Sequence, residues 1–410
     1  RQRQMCIRDR IQRTYDHLDH GEPYTQAAPA ALVQPVEPGD IDATALKARL
    51  DELGKDKALG TLGAQVIDTT THEVLWEREP AKPLTPASAT KVLTVAAATF
   101  ALDEEERLTT EVVKGEQDGE VVIKAAGDVW LTDERLDELA DQVKEHVGTV
   151  TRVSIDTSVW QGPDQAPGWD DDNIDGGFVA PIQPAMLYGG RLGEKTGDVP
   201  RSHEPALDVA RALAQRLGTD KADMAPAPEG AEVIATSESE PLALRAQQAV
   251  KDSDNVMAEA IARELAVHHN AEASFEGAAE ATLDVLADNG IDVNGVTLKD
   301  GSGLSRDNRI PAEALAHILD TAVASEDLRP LLGYLPLAGG EGTLYQRYPE
   351  SPARGFVRAK TGTLTETSAL AGTAQGTSGR VYAFAFLVND GEVMSARKAQ
   401  DALAAALHDF

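Results

Sequence analysis

The chain has a single cysteine, Cys6, so no disulfide can close within it. A body free of cysteine suits an exported bacterial protein and a cytosolic one equally. Aromatic residues are scarce as well, at 4% of 410 residues against 42% hydrophobic. Most of the core must therefore come from alanine, leucine and valine. Positive charge is also short: 38 Lys and Arg face 68 Asp and Glu, for a net charge of -30. Nucleic acid and anionic lipid both need a basic patch, so neither is an expected partner; the acidic excess keeps the surface hydrated. No run of about 18 apolar residues occurs, so no transmembrane segment is expected. Histidines number nine, yet no H-E-x-x-H is present, nor a phosphate loop or dinucleotide fingerprint. Asp300-Gly301-Ser302-Gly303 lacks the first glycine of a G-x-S-x-G elbow. Asp170-Asp171-Asp172 reads as a solvated acidic loop in preference to a cation site. Neither metal nor cofactor is expected.

Residues 1–40 read as a leader and an Ala/Pro-rich linker, expected to be disordered. Arg1, Arg3, Arg8, Arg10 and Arg13 look like the start of an export signal, but no apolar stretch follows. Helical spacing appears at 42–53, with Leu46, Leu50 and Leu53 on one face. Strands are predicted at 61–68 and 73–77. The segment 91–102 is apolar nearly all round and is predicted to be a central buried helix. Between 105 and 237 the texture changes to short strand-like pieces and Pro/Gly turns, with one clear helix over 205–217. Regular structure returns with helices at 241–251, 256–268, 276–289 and 312–324. Strands follow at 355–361, 367–374 and 380–389, and a final helix at about 395–408. The order predicts an α/β chain of the α+β type, with an antiparallel sheet carrying helices on its faces. The predicted organisation is a main domain of 41–104 plus 238–410, with a smaller domain, 105–237, inserted.

Three motifs stand in one order: Ser88-Ala89-Thr90-Lys91, Ser253-Asp254-Asn255 and Lys360-Thr361-Gly362-Thr363. S-x-x-K, S-x-N and K-T-G in this order supply a nucleophile, its base, a proton relay and a carboxylate anchor. Each alone is cheap. Ser395-Ala396-Arg397-Lys398 also fits the first pattern, and Lys195-Thr196-Gly197 the third. Ser395, however, opens a polar terminal helix expected to have no buried face, and Lys195 lies in a loop ahead of the S-x-N match. Ser88 at a helix N-terminus would meet unpaired N–H groups and the positive dipole end. Lys91, three residues on, lies on the same face within reach of that hydroxyl. Burial and a second cation, for which Lys360 is the candidate, would favour the neutral amine that a general base needs. Ser253 would relay a proton to the departing amine, with Asn255 holding the lysine and a substrate amide. Lys360 and Thr361 would bind a carboxylate. Gly362 would leave room for close backbone packing, and the N–H of Thr363 with that of Ser88 would form an oxyanion hole. The bland alternative for Ser88, Asp254 and Asn255 is helix capping.

These residues resemble the class C low-molecular-mass penicillin-binding proteins, the D-alanyl-D-alanine carboxypeptidase/endopeptidase family. The likeness spans roughly 60–405. Asp300-Gly301-Ser302-Gly303-Leu304-Ser305-Arg306 is similar to that family's signature loop; Leu335 to Gly339 with Gly342-Thr343-Leu344 is similar to the segment ahead of its K-T-G strand. The resemblance implies a five-stranded antiparallel sheet flanked by helices, of the transpeptidase/β-lactamase type. It implies a serine-type D-Ala-D-Ala carboxypeptidase, exported to the cell envelope, that acts on peptidoglycan stem peptides through an acyl-serine and is acylated by β-lactam antibiotics. Some members are also D,D-endopeptidases. Arg306 falls where the family has a cleft arginine, which implies substrate binding. A β-lactamase, or a non-catalytic wall-binding protein on the same fold, are the competing readings.

Overall fold

The computed structural model describes residues 37–410. The leader expected over 1–40, with Cys6, lies outside the described residues except for 37–40, where the Gly39 N–H donates to Ser378 O at 2.9 Å. No helix among the described residues is long and apolar enough to cross a membrane.

Along the chain, α1 (Ala43–Leu53), β1 (Thr61–Asp68), β2 (Glu73–Arg78) and α2 (Thr90–Ala101) come first. Next come β3 (Thr109–Lys114), β4 (Glu120–Lys124), β5 (Asp128–Leu131), α3 (Asp133–His146), β6 (Arg152–Asp156), β7 (Ala185–Leu187), α4 (Pro205–Arg216), β8 (Ala222–Met224) and β9 (Val233–Glu238). Then follow α5 (Leu242–Lys251), α6 (Asn255–His268), α7 (Phe275–Asp288) and α8 (Ala312–Ala324). The chain closes with β10 (Val357–Leu364), β11 (Thr367–Gln375), β12 (Val381–Asn389) and α9 (Val393–His408).

The main sheet has the order β10-β11-β12-β1-β2 and is antiparallel throughout. Strand periodicity sorts its side chains into two cores. Ala383, Ala385 and Leu387 of β12 face one, with Ala369 and Ala371 of β11. Tyr382, Phe384, Phe386 and Val388 face the other, with Leu46 and Leu50 of α1 and Leu403 of α9. The alanine face lets α8 lie close; the aromatic face fills the wider space under the terminal helices. In α2, every residue from Thr90 to Ala98 is buried, as its all-round apolar sequence predicted.

A second, mixed sheet runs β8-β6-β4-β3-β9, with β4, β6 and β8 parallel. It has its own core, built from Val121, Ile123, Val153 and Ile155 against Leu136 and Leu139 of α3 and Val209 and Leu213 of α4. The sequence reading saw only one clear helix in this region and missed α3. Its signal was present: Thr132 accepts from the Arg135 N–H as an N-cap, and Leu136, Leu139, Ala140 and Val143 form one apolar stripe. Flanking acids at Asp133, Glu134 and Asp137 masked it. The terminal helix also departs from expectation. It does bury a face, with Ala396, Ala399, Gln400, Leu403 and Leu407 inside, because β11 and α1 cover it. Ser395 and Lys398 lie off that face and are exposed.

Candidate active site

Ser88 lies in a single 3-10 turn, Ala87–Ala89, that feeds directly into α2. Neither the turn nor the helix has a side-chain cap, so the serine is not used as an N-cap. Its hydroxyl instead accepts from Lys91 Nζ at 3.2 Å. Two glycines make this turn accessible to other backbone. A Cβ at Gly303, where φ is +83°, would stand 2.0 Å from Ala87 O, and one at Gly362 would stand 2.7 Å from Pro86 O. The K-T-G strand and the 300–306 loop therefore touch the Ser88 turn from two sides. Gly303→Ala is expected to cost on the order of 2–4 kcal/mol, since both the positive φ and the contact resist a side chain. Urea denaturation checks this, and an unchanged midpoint would mean the Ala87 turn yields freely.

Lys91 is fully buried. Besides Ser88, its amine donates to Asn255 Oδ1 at 2.6 Å and to Ser302 O at 2.7 Å. Burial pushes its pKa down to about 8, against the pull of Asp300, Glu259 and Asp254. Lys360 is equally buried and sits well below its ordinary value, first through burial and then through the charge of Lys91. The repulsion between the two ammonium groups is mutual, and the neighbouring carboxylates favour the proton on Lys91.

Lys360 Nζ lies 2.9 Å from Ser253 Oγ and 2.7 Å from Thr361 O. Ser253 has φ +60°, a left-handed backbone that serine seldom adopts. The capping reading holds for its neighbour: Asp254 is the N-cap of α6, accepting from the Met257 N–H at 2.9 Å. Asn255 opens that helix, and its Nδ2 donates to Phe178 O at 2.9 Å. β10 is an edge strand. Along it Lys360 and Gly362 are buried, while Thr361 is half-buried and Thr363 exposed. The Thr361 hydroxyl donates to Thr343 Oγ1 at 2.8 Å, and Thr363 Oγ1 accepts from Arg397 Nη2 at 2.7 Å. Ser88, Ser253, Asn255, Thr361, Thr363 and Arg306 line one cleft of about 890 Å³. Arg306 reaches Asp170 at 3.2 Å and Thr365 Oγ1 at 3.3 Å.

The structure also contributes residues that the sequence reading did not single out. Glu259 is buried on α6, one turn after Asn255, and accepts from the N–H groups of Gly301 at 3.0 Å and Ser302 at 2.7 Å. Burial and then the charge of Asp300 push its carboxyl up to about 7. Its spacing from Asn255 was the available signal, since four residues on a helix share a face. Arg191, from the 188–204 loop, had no signal: nothing local marks a loop arginine as a partner of Asp254. Neither alternative motif match places its serine or lysine beside Ser88, although Arg397 and Lys398 of one of them line the cleft. Lys195 is solvated beside Asp133, at 3.4 Å, and Ser395 is exposed. Among the described residues no cluster of three His, Cys, Asp or Glu side chains is arranged to hold a metal ion. The arrangement offers a hydroxyl beside a buried, weakly basic amine, a second hydroxyl beside a second such amine, and an edge strand open to a peptide.

A family model described as D-Ala-D-Ala carboxypeptidase 3 (S13) matches residues 46–197 and 191–409. A carboxypeptidase DacB of Mycolicibacterium smegmatis is 43% identical over 426 residues, covering 96% of this chain and 92% of that protein. A carboxypeptidase of Mycobacterium tuberculosis is 42% identical over 388 residues, covering 89% and 84%. Penicillin binding protein 4 of Haemophilus influenzae shares the fold, with a TM-score of 0.76 at 22% identity over 90% of this chain and 99% of that one. A structure of the same protein complexed with a β-lactam superposes with a TM-score of 0.67.

Proposed function

This chain belongs to the D-Ala-D-Ala carboxypeptidase 3 (S13) family and is a serine-type D-Ala-D-Ala carboxypeptidase, and we propose that it acts through Ser88 on peptidoglycan stem peptides. The observation that carries this is the placement of the Lys91 amine, 3.2 Å from Ser88 Oγ and with its pKa at about 8. A lysine poised near the working pH can take the serine proton and give it back.

In this reading Ser88 Oγ attacks the carbonyl of the penultimate D-alanine as its proton passes to Lys91. The N–H groups of Ser88 and Thr363 hold the oxyanion. The C–N bond then breaks, the departing amine takes the Ser253 proton, and the proton that left Ser88 restores Ser253. Free D-alanine leaves. Water, deprotonated by Lys91, hydrolyses the ester. Asn255 orients Lys91 and a substrate amide. Lys360, Thr361 and Thr363 receive the terminal carboxylate, Gly362 lets the strand pack against the Ser88 turn, and Arg306 lines the cleft.

The strained amide of a β-lactam presents the same carbonyl and carboxylate, so penicillin acylates Ser88. The β-lactam complex of the Haemophilus influenzae protein supports this. Stem peptides lie outside the cytoplasm, so the enzyme works in the envelope. The 105–237 domain, with its own sheet and core, is an insert in the catalytic domain formed by 41–104 and 238–410. Cross-linked peptides are a second proposed substrate, cleaved by the same acyl-serine route.

The test is D-alanine release from a diacetylated L-lysyl-D-alanyl-D-alanine peptide, followed by a cross-linked muropeptide dimer. Release from both is expected, together with a long-lived penicillin adduct. Rapid penicillin turnover would favour a β-lactamase, and no release by the folded protein would favour a wall-binding role.

A further inference from the structure

Besides the exposed Arg306–Asp170 pair, four contacts cross from residues 167–191 to the loops around Lys91. Arg191 Nη2 donates to Asp254 Oδ2 at 3.0 Å, and Asn255 Nδ2 donates to Phe178 O at 2.9 Å. Trp169 Nε1 donates to Asp300 Oδ2 at 2.7 Å, and Ser305 Oγ donates to Pro167 O at 2.6 Å. The insert thus touches the second motif and the 300–306 loop directly.

The Arg191–Asp254 pair is the most enclosed of these contacts, with the two side chains 8% and 3% exposed. Arg191 is itself fixed. It donates to Tyr188 O and Gly197 O, both at 3.0 Å, and lies over the Trp130 ring. Arg201 stands behind it, donating to Gly177 O and Gly189 O. Burial raises the Asp254 carboxyl pKa, but the charges of Arg191 and Arg201, with the hydrogen bonds from Met257 and Arg191, bring it below its ordinary value. Asp254 then uses both oxygens: one caps α6 at Met257 and the other takes Arg191. Ser253, next in the chain, has φ +60°. A residue held in that region persists only where its surroundings over-determine it. The helix cap fixes Asp254 from one side, and Arg191 fixes it from the other.

We infer that Arg191 is a positioning residue for Ser253: by clamping Asp254 from the insert, it keeps the Ser253 hydroxyl beside Lys360, where it can protonate the leaving amine. This rests on the function proposed above. It makes the insert part of the catalytic apparatus.

Leaving-group chemistry separates this role from general support of the fold. An amide nitrogen must gain a proton, here from the Ser253 hydroxyl, as its bond to the carbonyl breaks. A thioester sulfur departs as thiolate and needs no proton. A displaced Ser253 therefore slows peptide cleavage and spares the thioester. Loss of fold, or of Ser88 reactivity, slows both alike.

The experiment compares kcat/KM of the full chain on a D-alanyl-D-alanine peptide and on a thioester carrying the same acyl group. Arg191→Met is expected to lose about 10²-fold on the peptide, the scale of a small misplacement of a reacting group, and less than about threefold on the thioester. Arg191→Lys is expected to recover part of the peptide rate. Should Arg191→Met not fold, Asp254→Asn keeps the helix cap and weakens the Arg191 contact; because it also removes a charge that acts on Lys91, both rates are then compared above about pH 9, and the same split is expected. Equal losses on both substrates, or no loss on either, overturn the inference. Failure of the underlying reading looks different: the wild-type chain would then form no acyl-Ser88 from the thioester.

Discussion

Ser88→Ala is expected to abolish covalent labelling by a fluorescent penicillin and to lower D-alanine release roughly 10⁵- to 10⁶-fold, the loss seen when a serine nucleophile is removed. That corresponds to about 7–8 kcal/mol of lost transition-state stabilisation. Stability should barely move. The Ser88 side chain is half-buried, caps no helix, and makes its side-chain hydrogen bond with Lys91. A change within about 1 kcal/mol is the expectation for such a site. Peptide mapping of the wild-type adduct by mass spectrometry should place penicillin on the peptide containing Ser88. Labelling of the alanine variant at full stoichiometry would remove Ser88 from the mechanism.

Lys91 carries the second large effect, and it has a pH signature. A general base works when unprotonated, so acylation must rise with pH through the pKa of Lys91. With that pKa near 8, the neutral fraction grows about tenfold between pH 7 and pH 9 and then levels off. Stopped-flow acylation by a penicillin reads this limb directly. Lys91→Met should erase the limb and slow acylation about 10³- to 10⁴-fold, within the range of lost general-base catalysis. The variant leaves Asn255 Oδ1 and Ser302 O without their buried donor, which costs about 1–3 kcal/mol for each unsatisfied group. Thermal unfolding should be recorded beside the kinetics for that reason. A flat profile from pH 7 to pH 9 in the wild type would assign the base elsewhere.

The competition over the two lysines shows how the field around the site decides its chemistry. Both amines are buried, and both lose affinity for protons on that account. Asp300, Glu259 and Asp254 pull the remaining proton toward Lys91, whereas Lys360 feels mainly the charge of Lys91. In the proposed mechanism an arriving substrate carboxylate supplies the anion that Lys360 lacks. That favours its charged form and drives Lys91 toward the neutral base. Binding and activation are then coupled through one electrostatic exchange.

Much of the catalytic domain was legible before any coordinates. β12 reads as a strand because Val381 to Val388 form one uninterrupted apolar run, and α6, α7 and α8 read as helices because their apolar residues recur at helical spacing. Those are short-range properties of the chain. The same holds for the three motifs, whose residue types suit the nucleophile, base and anchor proposed here. Legibility failed where the deciding partner was distant in sequence. α3 hid behind its acids until β9 and α4 covered its apolar stripe, and the terminal helix looked polar until β11 covered the other side.

What the sequence by itself determined was the set of groups proposed to react and their order. Tertiary structure alone decided their protonation, since desolvation and Coulomb interaction depend on distance through space and not along the chain. It also decided who holds them in place. The left-handed Ser253 backbone, the Arg191 contact 63 positions away from Asp254, and Glu259 under the 301–302 peptide exist only once segments distant in sequence have folded against each other.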